Sequence, residues 1–526
     1  MFARLIESMN DYIWSIPLIV LCLLAGLYFT IRTGLLQVRN IPDMLDQLKK
    51  GKTSPDGTSS FQSLMMSLAG RVGMGNIGGV ATAIAFGGPG AVFWMWASAF
   101  LGASTSFIEC TLGQIYKEKD PDTGEYRGGP AYYFEKAYKH RFRGLSVLYG
   151  ILFAAVTIIA MSFFLPGVQA NGMASAIHNA WDIPTWVTAI GLVILLGFIV
   201  IGGVKRIAHF AVVVVPVMAI LYVLIALVVF FLNFEDIPRV FGLIFGSAFG
   251  VQPVFGAILG LAIKWGVQRG IYSNEAGQGT GPHAAAAAEV SHPAKQGFAQ
   301  SFSVYIDTLF VCSATAFIII STGMFNTFED EKWLDGTSPV IGSGIGGLPV
   351  DVEPGPGFVQ AGLDSVFPGA GPSFIAIALS FFVFTTIVAY YYMAEVNLNY
   401  LTRKMKNRVL ARAILRFLQA LVLVSVAYGA VTTAGSAWGL GDIGVGTMAW
   451  LNIIGILLIQ GPALKALKDY RQQKKKGLDP QFDPRKLGIE GATFWELRAD
   501  GHQLHGKTGG ELPPEVRGID SDPAGR

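Results

Sequence analysis

Charged residues are scarce in this sequence. Aspartate, glutamate, lysine and arginine make up 14% of the 526 residues, whereas soluble proteins average about 25%. Hydrophobic residues make up 52%, and the net charge of +3 is too small to indicate nucleic acid binding. The composition therefore predicts one polytopic membrane domain rather than several soluble domains.

Cysteine and the common catalytic motifs are also lacking. The three cysteines, Cys22, Cys110 and Cys312, each lie in an apolar stretch, which indicates packing rather than a disulfide or a metal site. The sequence has no HExxH or GxSxG motif, so we expect that the protein is not an enzyme. His283 and His292 have no third ligand nearby, so loop or packing roles are favoured over a metal site.

Apolar stretches of near 20 residues recur along the chain, and they predict an all-α membrane protein with about eleven spans. The predicted spans are Ile13–Ile31, Phe61–Phe86, Ala91–Ile115, Leu145–Ala176, Thr185–Gly203, Ala208–Leu232, Ile244–Gly266, Gly297–Thr322, Phe374–Leu401, Ala413–Thr432 and Val445–Leu464.

Alternate connections between these spans carry most of the basic residues. Examples are Lys49, Lys136, Lys205, Arg269 and Arg403. Because basic connections stay in the cytoplasm, the pattern predicts an external N-terminus and a cytoplasmic C-terminus. The polar tail, which begins near residue 469, is expected to be mobile cytoplasmic sequence.

Glycines interrupt the second predicted span in the stretch SLAGRVGMGNIGG (residues 67–79). Each glycine in a helix interior costs about 1 kcal/mol relative to alanine, and Arg71 and Asn76 are polar residues at membrane depth. Close packing through small residues is one explanation. The polar residues favour a broken helix that faces protein or a water-filled cavity.

A second interrupted span is expected at Phe245–Gly260, where glycines flank Pro253. It comes five spans after the first, so the spans are expected to form two sets of five behind an accessory first helix. The predicted divisions are an accessory helix and linker (1–57), a first repeat (58–240), a second repeat (241–465) with a long external loop (325–370), and a tail (466–526).

Two long motifs make the chain similar to a known family. They are VGMGNIGGVATAIAFGGPGAVFWMW and GVQRGIYSNEAGQGTGPHAAAAAEVSHPAKQG. The sequence closely resembles the alanine/glycine:cation symporters, also called sodium:alanine symporters, up to about Leu464. The resemblance implies a LeuT-like fold, with a five-plus-five inverted repeat and two broken helices. It also implies sodium-driven symport of small neutral amino acids in the bacterial inner membrane.

The resemblance also implies a substrate site. Backbone N–H groups of the first interruption are expected to hold the substrate carboxylate, aided by the helix dipole. Phe249 would line the pocket from the second interruption. The implied substrate-binding residues are Gly73, Met74, Gly75, Asn76, Gln169, Phe249, Thr386 and Tyr390. Met74 and Tyr390 differ from the residues usual in the family, so a larger substrate such as glutamine stays open.

A sodium site is implied beside it. Thr385 and Thr386 match a Ser/Thr pair of the family, and hydroxyl oxygens suit a hard cation. Related folds complete this site with backbone carbonyls, which here belong to Ala69 and Val72. The ordinary role for such threonines is a bond to their own helix. Sodium is the only ion or cofactor that we predict.

Arg71 requires a partner or water at membrane depth. It could attract a second carboxylate on a larger substrate, or it could pair with Glu109 or Asp307 as a charge gate. The segment RGIYSNEAGQGTG is interpreted as a cytoplasmic connection, capped by Ser273, Asn274 and Glu275, that belongs to the inner gate.

Two other functions stay open. Proton coupling would require a titratable group near the site, for which Glu109, Asp307 and Glu395 are candidates. A channel would require a continuous polar pore, and paired interrupted helices fit alternating access better. The expected partners are a small neutral amino acid and the lipid bilayer.

Overall fold

The structure is a computed structural model that describes residues 2–49, 57–120, 123–137, 143–200, 204–251, 255, 258–329 and 338–499. Helices make up nearly all of its regular structure. The described strands form two small antiparallel hairpins, Glu118–Lys119 with Tyr126–Arg127 and Asn326–Phe328 with Val340–Ser343. The predicted all-α class is confirmed.

The helices are numbered here in chain order. The first twelve are α1 (Phe2–Ile13), α2 (Ile16–Arg32), α3 (Leu36–Arg39), α4 (Ile41–Lys49), α5 (Ser60–Arg71), α6 (Val80–Gly87), α7 (Gly90–Ile115), α8 (Pro130–Ala137), α9 (Arg143–Ile159), α10 (Leu165–Trp181), α11 (Thr185–Val200) and α12 (Val204–Leu232). The others are α13 (Ile237–Ala248), α14 (Leu259–Asn274), α15 (Gly281–Ala287), α16 (Pro293–Val304), α17 (Ser313–Thr322), α18 (Pro356–Val366), α19 (Gly371–Thr402), α20 (Arg408–Val431), α21 (Ala434–Ile459), α22 (Gly461–Lys475) and α23 (Thr493–Ala499). π-helical turns at Gly75–Gly79, Ala160–Phe164 and Tyr305–Cys312 precede α6, α10 and α17.

Within the described residues, 8 helical stretches are long and apolar enough to cross a membrane. They are Arg4–Arg32, Gly90–Ile115, Gly144–Trp181, Val213–Leu232, Pro293–Thr322, Gly371–Thr402, Arg408–Val431 and Ala434–Ile459. Of the three other predicted spans, one is the shorter apolar helix Thr185–Val200. The remaining two, Phe61–Phe86 and Ile244–Gly266, are not single helices.

The first broken helix lies where the glycines predict it. α5 begins at a capping box formed by Ser59 and Gln62 and ends at Arg71. Val72 then has extended backbone angles (φ −77°, ψ 96°), which stop the helix. Helical structure resumes in the π-helical turn and continues as α6.

The second break lies later in the chain than predicted. The span Ile244–Gly266 is not one helix, because α13 ends before residue 249 and α14 begins at Leu259. Phe249 caps the end of α13, and Pro253 lies outside the described residues.

The second broken helix consists of α14 and α15, with an irregular segment at residues 275–280 between them. Glu275, Gly277 and Gly279 have φ values of 58°, 86° and 85°. No right-handed helix accommodates three such residues, and glycine adopts these angles without steric cost. The prediction that this segment only connects two spans on the cytoplasmic side is therefore wrong.

The two broken helices lie side by side and antiparallel. α5 packs on α15 and α6 packs on α14, so the first half of one helix meets the second half of the other. The two irregular segments consequently lie at the same level of the protein. This arrangement lets the freed backbone groups face protein rather than lipid.

The other helices repeat this symmetry. Corresponding helices of the two halves pack on each other: α7 on α16, α10 on α19, and α11 on α20. Contacts between non-corresponding helices are symmetric as well, because the fifth span of each half packs on the third span of the other half. These contacts are α12 on α19 and α21 on α10. Each set of five spans thus contains a broken helix followed by four others, and an odd number of spans inverts the second set. The predicted five-plus-five inverted repeat is confirmed, with α1 and α2 outside it.

The tail is packed against the membrane domain as far as residue 499. α22 continues to Lys475, and the segment 478–499, here called the docked tail, packs against the end of α7. Phe494 and Trp495 are buried, and the Trp495 indole donates to the Gln114 carbonyl (2.8 Å). The expectation from composition is wrong here because a few well-spaced aromatic residues suffice to anchor a polar segment.

Candidate functional site

The first break presents two backbone N–H groups to side chains. The Gly73 N–H donates to Asn76 Oδ1 (2.8 Å), and the Met74 N–H donates to Gln169 Oε1 (2.8 Å). Asn76 and Gln169 are both buried. Side-chain oxygens therefore take the place of the carbonyls that a continuous helix would supply.

A hydroxyl of α19 reaches the same break. Thr386 Oγ1 lies within hydrogen-bond distance of the Val72 carbonyl (3.1 Å) and of the Phe382 carbonyl (2.8 Å), either of which can accept its single proton. Among the described residues, the partners of Thr385 Oγ1 are carbonyls of its own helix, the nearer at 2.9 Å. Ala69 is buried on the last turn of α5. The structure thus joins Thr386 directly to Val72.

Gln169 connects the break to α19 as well. Its amide Nε2 lies 3.4 Å from the Tyr390 hydroxyl, one helical turn after Thr386. A Cβ atom added at Gly73 would lie 2.6 Å from Thr386 Oγ1 and 2.7 Å from Gln169 Oε1. Only glycine therefore permits these three segments to approach each other.

The Met74 side chain packs into a notch on α10. A Cβ atom added at Gly172 would lie 2.0 Å from Met74 Sδ, and one at Gly78 would lie 2.0 Å from Met74 Cε. Two glycines thus make room for this thioether. Gly75 is buried in the same turn, against Tyr272 and Ser273.

Asn76 joins the two breaks. Its amide Nδ2 donates to Ser273 Oγ (2.9 Å), just before the second break, and to Asp307 Oδ1 (2.6 Å). Sequence reasoning assigned Ser273 only a capping role. The alternating glycines at 277, 279 and 281 were the available sign that the segment breaks a helix.

Phe249 does not reach this region. Its side chain is 55% exposed, and its ring packs on Phe93 (4.9 Å between centroids) and Trp94 (6.5 Å) of α7. The prediction that Phe249 lines the pocket fails because the break that faces Asn76 lies at residues 275–280.

Glu275 is the carboxylate nearest to Arg71, rather than Glu109 or Asp307. Arg71 Nε lies 3.7 Å from Glu275 Oε2, and the guanidinium also bonds to the Gln300 carbonyl and to Ser303. Sequence reasoning missed this pairing because it placed Glu275 in a cytoplasmic connection.

Glu109 and Asp307 have other partners. Glu109 accepts hydrogen bonds from the N–H groups of Gly277 and Gly279 (both 3.2 Å) and from Asn452 (2.7 Å). The Glu109 carboxylate therefore satisfies backbone that the second break frees. Asp307 accepts from Asn76 and from hydroxyls beside it.

His283 and His292 each bond to a backbone group close in sequence and to a polar side chain of a distant helix. His283 bonds to the Thr280 carbonyl (2.9 Å) and to Asn397 (2.8 Å). His292 Nδ1 accepts from the Ala294 N–H, and its Nε2 lies 3.2 Å from Asp469. Burial lowers the pKa of His292, which agrees with a neutral ring that accepts at Nδ1.

A buried ion pair that sequence reasoning missed lies in the second half of α14. Arg269 binds Asp442 of α21 through two hydrogen bonds (2.7 and 3.0 Å). The guanidinium also lies over the Trp438 ring (4.3 Å), beside a cavity of about 80 Å³. Arg269 is therefore not the loop residue that the charge pattern suggested.

The chain closely resembles known carriers. The profile described as "Sodium:alanine symporter family" matches residues 1–484. The putative sodium/proton-dependent alanine carrier protein YrbD of Bacillus subtilis (strain 168) is 56% identical, over 94% of this chain and 98% of that protein. The sodium/proton-dependent alanine carrier protein of Bacillus sp. (strain PS3) is 49% identical, over 86% and 97%. The probable sodium/glutamine symporter GlnT of Bacillus subtilis (strain 168) is 40% identical, over 94% and 96%.

Removing one partner of the buried pair should destabilise the protein. Asp442→Asn leaves the Arg269 charge buried without its counter-charge, and such a loss typically costs about 3–5 kcal/mol. We expect a clearly lower melting temperature in detergent. Asp483→Asn is the matched control, because its partner Lys486 is 82% exposed and exposed pairs contribute about 1 kcal/mol or less. Equal melting temperatures for Asp442→Asn and the native protein would contradict the stabilising role of the Arg269–Asp442 ion pair.

Proposed function

Because the chain belongs to the sodium:alanine symporter family, we propose that it carries a small neutral amino acid, such as alanine, into the cell by sodium-coupled alternating access. The observation that supports this most is the pair of N–H groups at Gly73 and Met74. Both are held by side-chain oxygens that a ligand can replace. The two breaks give such a ligand a site between the repeats.

In the proposed binding mode, the substrate carboxylate replaces Asn76 Oδ1 and Gln169 Oε1 on these two N–H groups. The positive end of the helical segment that begins at Gly75 and continues as α6 favours an anion at this place. Gln169 and Tyr390 then lie beside the bound amino acid. Gly73 and Gly75 allow the backbone to approach the ligand closely.

Sodium is proposed to bind between Thr386 and the Val72 carbonyl. These oxygens already lie 3.1 Å apart, and Thr385 and the Ala69 carbonyl would complete the oxygen set. The Thr386 hydroxyl would keep its proton and donate it to the Phe382 carbonyl, so that a lone pair of Oγ1 and the Val72 carbonyl face the ion. Sodium would then hold the end of α5 against α19.

Glutamine is the second candidate substrate. One relative carries the name of a probable sodium/glutamine symporter. The Met74 side chain lies in the notch formed by Gly78 and Gly172. Although methionine is a large residue, the Met74 side chain therefore does not by itself reduce the space near the two breaks.

The protein is proposed to lie in the bacterial inner membrane with its N-terminus outside. Basic residues gather on the face that carries the start of α5 and the end of α7. Lys136 and Arg403 both reach Glu118 there (2.8 and 3.5 Å), and Lys117 bonds to the Ala288 carbonyl. The positive-inside rule places this face in the cytoplasm.

The ion pairs of the two broken helices are proposed to act as gates. Arg71 and Glu275 tie the end of α5 to the second break, toward the proposed cytoplasmic side. Arg269 and Asp442 tie α14 to α21 on the other side. Alternating access requires that each connection opens in turn.

Reconstituted protein tests this function. An inward sodium gradient should drive concentrative uptake of labelled alanine into proteoliposomes. Thr386→Ala should raise the half-saturating sodium concentration about tenfold, since the loss of one ion-bound hydroxyl costs about 1.5 kcal/mol. Thr386→Ser, which keeps the hydroxyl, is the matched control.

Unlabelled glycine and glutamine, added as competitors, separate the two substrate candidates. Uptake that follows a proton gradient at equal sodium would indicate proton coupling instead. Uptake that never exceeds equilibrium would exclude symport.

Gly73→Ala tests the binding mode. The added methyl group would contact Thr386 Oγ1 and Gln169 Oε1 at 2.6 and 2.7 Å, so the break must widen. We expect alanine affinity to fall at least about tenfold, which corresponds to about 1.4 kcal/mol. At Gly79 the nearest atom would be 3.6 Å away, so Gly79→Ala should bind alanine nearly as the native protein does. Similar affinities for both variants would refute the binding mode.

A further inference from the structure

Asp307 is a buried carboxylate between the two breaks. It lies in the π-helical turn before α17 and has no exposed surface. Its partners are Asn76 Nδ2 (2.6 Å) and the hydroxyls of Ser273 and Thr308 (both 2.8 Å). Among the described residues, no basic side chain lies within ion-pair distance of this carboxylate.

The nearby charges do not balance. Arg71 is the basic residue close to this region, and its ion pair is with Glu275. Glu109 and Asp307 are therefore further carboxylates in the same interior. A buried carboxylate requires a cation, a proton or strong donors.

The Asn76 amide connects the proposed substrate position to Asp307. Its Oδ1 accepts from the Gly73 N–H, while its Nδ2 donates to Asp307 and Ser273. A substrate carboxylate that takes the Gly73 N–H would release Oδ1. The amide could then turn about χ2 and present its oxygen to the Asp307 cluster.

We propose that Asp307, Ser273 and Thr308 form a second sodium site, which Asn76 completes when the amino acid is bound. The set offers one carboxylate, two hydroxyls and one amide oxygen, and hard cations prefer such ligands. Sodium in this site and the amino acid favour each other, because both require the same orientation of Asn76. The proposal rests on the proposed symport.

The charge carried with each alanine tests this site. Reversal potentials in proteoliposomes give that number, and we expect two charges for the native protein and one for Asp307→Asn. Ser273→Ala and Thr308→Ala keep the carboxylate. They should raise the half-saturating sodium concentration about three- to tenfold at unchanged charge. Asp364→Asn, an external carboxylate that accepts from the Gly369 N–H, should behave as the native protein does.

Three results would overturn the second site. They are one charge per alanine in the native protein, two charges in Asp307→Asn, and a second charge that follows the proton gradient. Sodium affinity unchanged in both hydroxyl variants would also contradict it, even where Asp307→Asn does not fold. A native protein without sodium-driven uptake refutes the proposed function instead.

A separate observation concerns the linker 288–292 that follows α15. Every residue of this linker bonds to the end of α7, to α22 or to the docked tail. The contacts are Ala288 with Gln114 and Lys117, Glu289 and Val290 with Arg498, Ser291 with Pro480 and Phe482, and His292 with Asp469.

The same linker is tied to the start of the first broken helix. The Thr58 N–H donates to the Ala287 carbonyl (2.9 Å), and the Glu289 N–H donates to the Thr58 carbonyl (2.8 Å). The linker thus connects the start of the first broken helix to the docked tail. Lys117 lies there against the rings of Tyr126 (4.2 Å) and Phe494 (4.5 Å).

We infer that the docked tail is a brace that holds the cytoplasmic ends of α5 and α15 together, and that its release accompanies opening to the cytoplasm. This inference also rests on the proposed symport. Trp495→Ala removes the anchor to Gln114. Lys486→Ala, at an exposed position of the same tail, is the matched control.

Hydrogen exchange and alanine exchange test the brace together. Trp495→Ala should speed amide exchange at residues 288–292 at least about tenfold, and it should speed alanine exchange across the vesicle membrane severalfold. Lys486→Ala should change neither rate. Faster amide exchange with unchanged alanine exchange would show that the docked tail only stabilises the structure, and it would refute the link between tail release and opening. An undocked tail without faster amide exchange would refute the brace.

Discussion

A broken helix inside a membrane must have its freed backbone groups satisfied by protein, and this constraint organises the whole molecule. The chain meets it by placing two antiparallel broken helices side by side. Asn76 and Gln169 bond to the first break, and Glu109 bonds to the second. In the proposed binding mode a ligand replaces the Asn76 and Gln169 oxygens, so two of the groups that satisfy the broken backbone also belong to the candidate site.

Charge pairs lie on both sides of this centre. Arg71 with Glu275 and Arg269 with Asp442 each connect a broken helix to a neighbouring segment. An ion pair in a buried place is strong only while its geometry is intact, and separating it is costly. Such pairs suit a protein that alternates between discrete closed states. On the side of the Arg71–Glu275 pair, the docked tail and the backbone hydrogen bonds of Thr58 add polar contacts near the start of α5 and the end of α7.

The sequence could predict much of this arrangement, though not all of it. Glycines next to Arg71 located the first break, because close helix packing explains the glycines but does not explain an arginine at membrane depth. Pro253 misplaced the second break: proline is a strong helix breaker, whereas the true interruption depends on positive φ angles at Gly277 and Gly279. Phe249 was assigned to the site through the same error. The pairing of Arg71 with Glu275 depends on that tertiary contact, which hydropathy and spacing do not record.

A structure determined with alanine and sodium tests the central claim most directly, namely that the two breaks together hold the transported amino acid. We predict that the alanine carboxylate accepts hydrogen bonds from the Gly73 and Met74 N–H groups, and that Gln169 Oε1 has moved away from Met74. Alanine bound outside the space between residues 72–76 and 273–280 would contradict the account. A helix wound continuously from α5 through Val72 into α6 would do so as well.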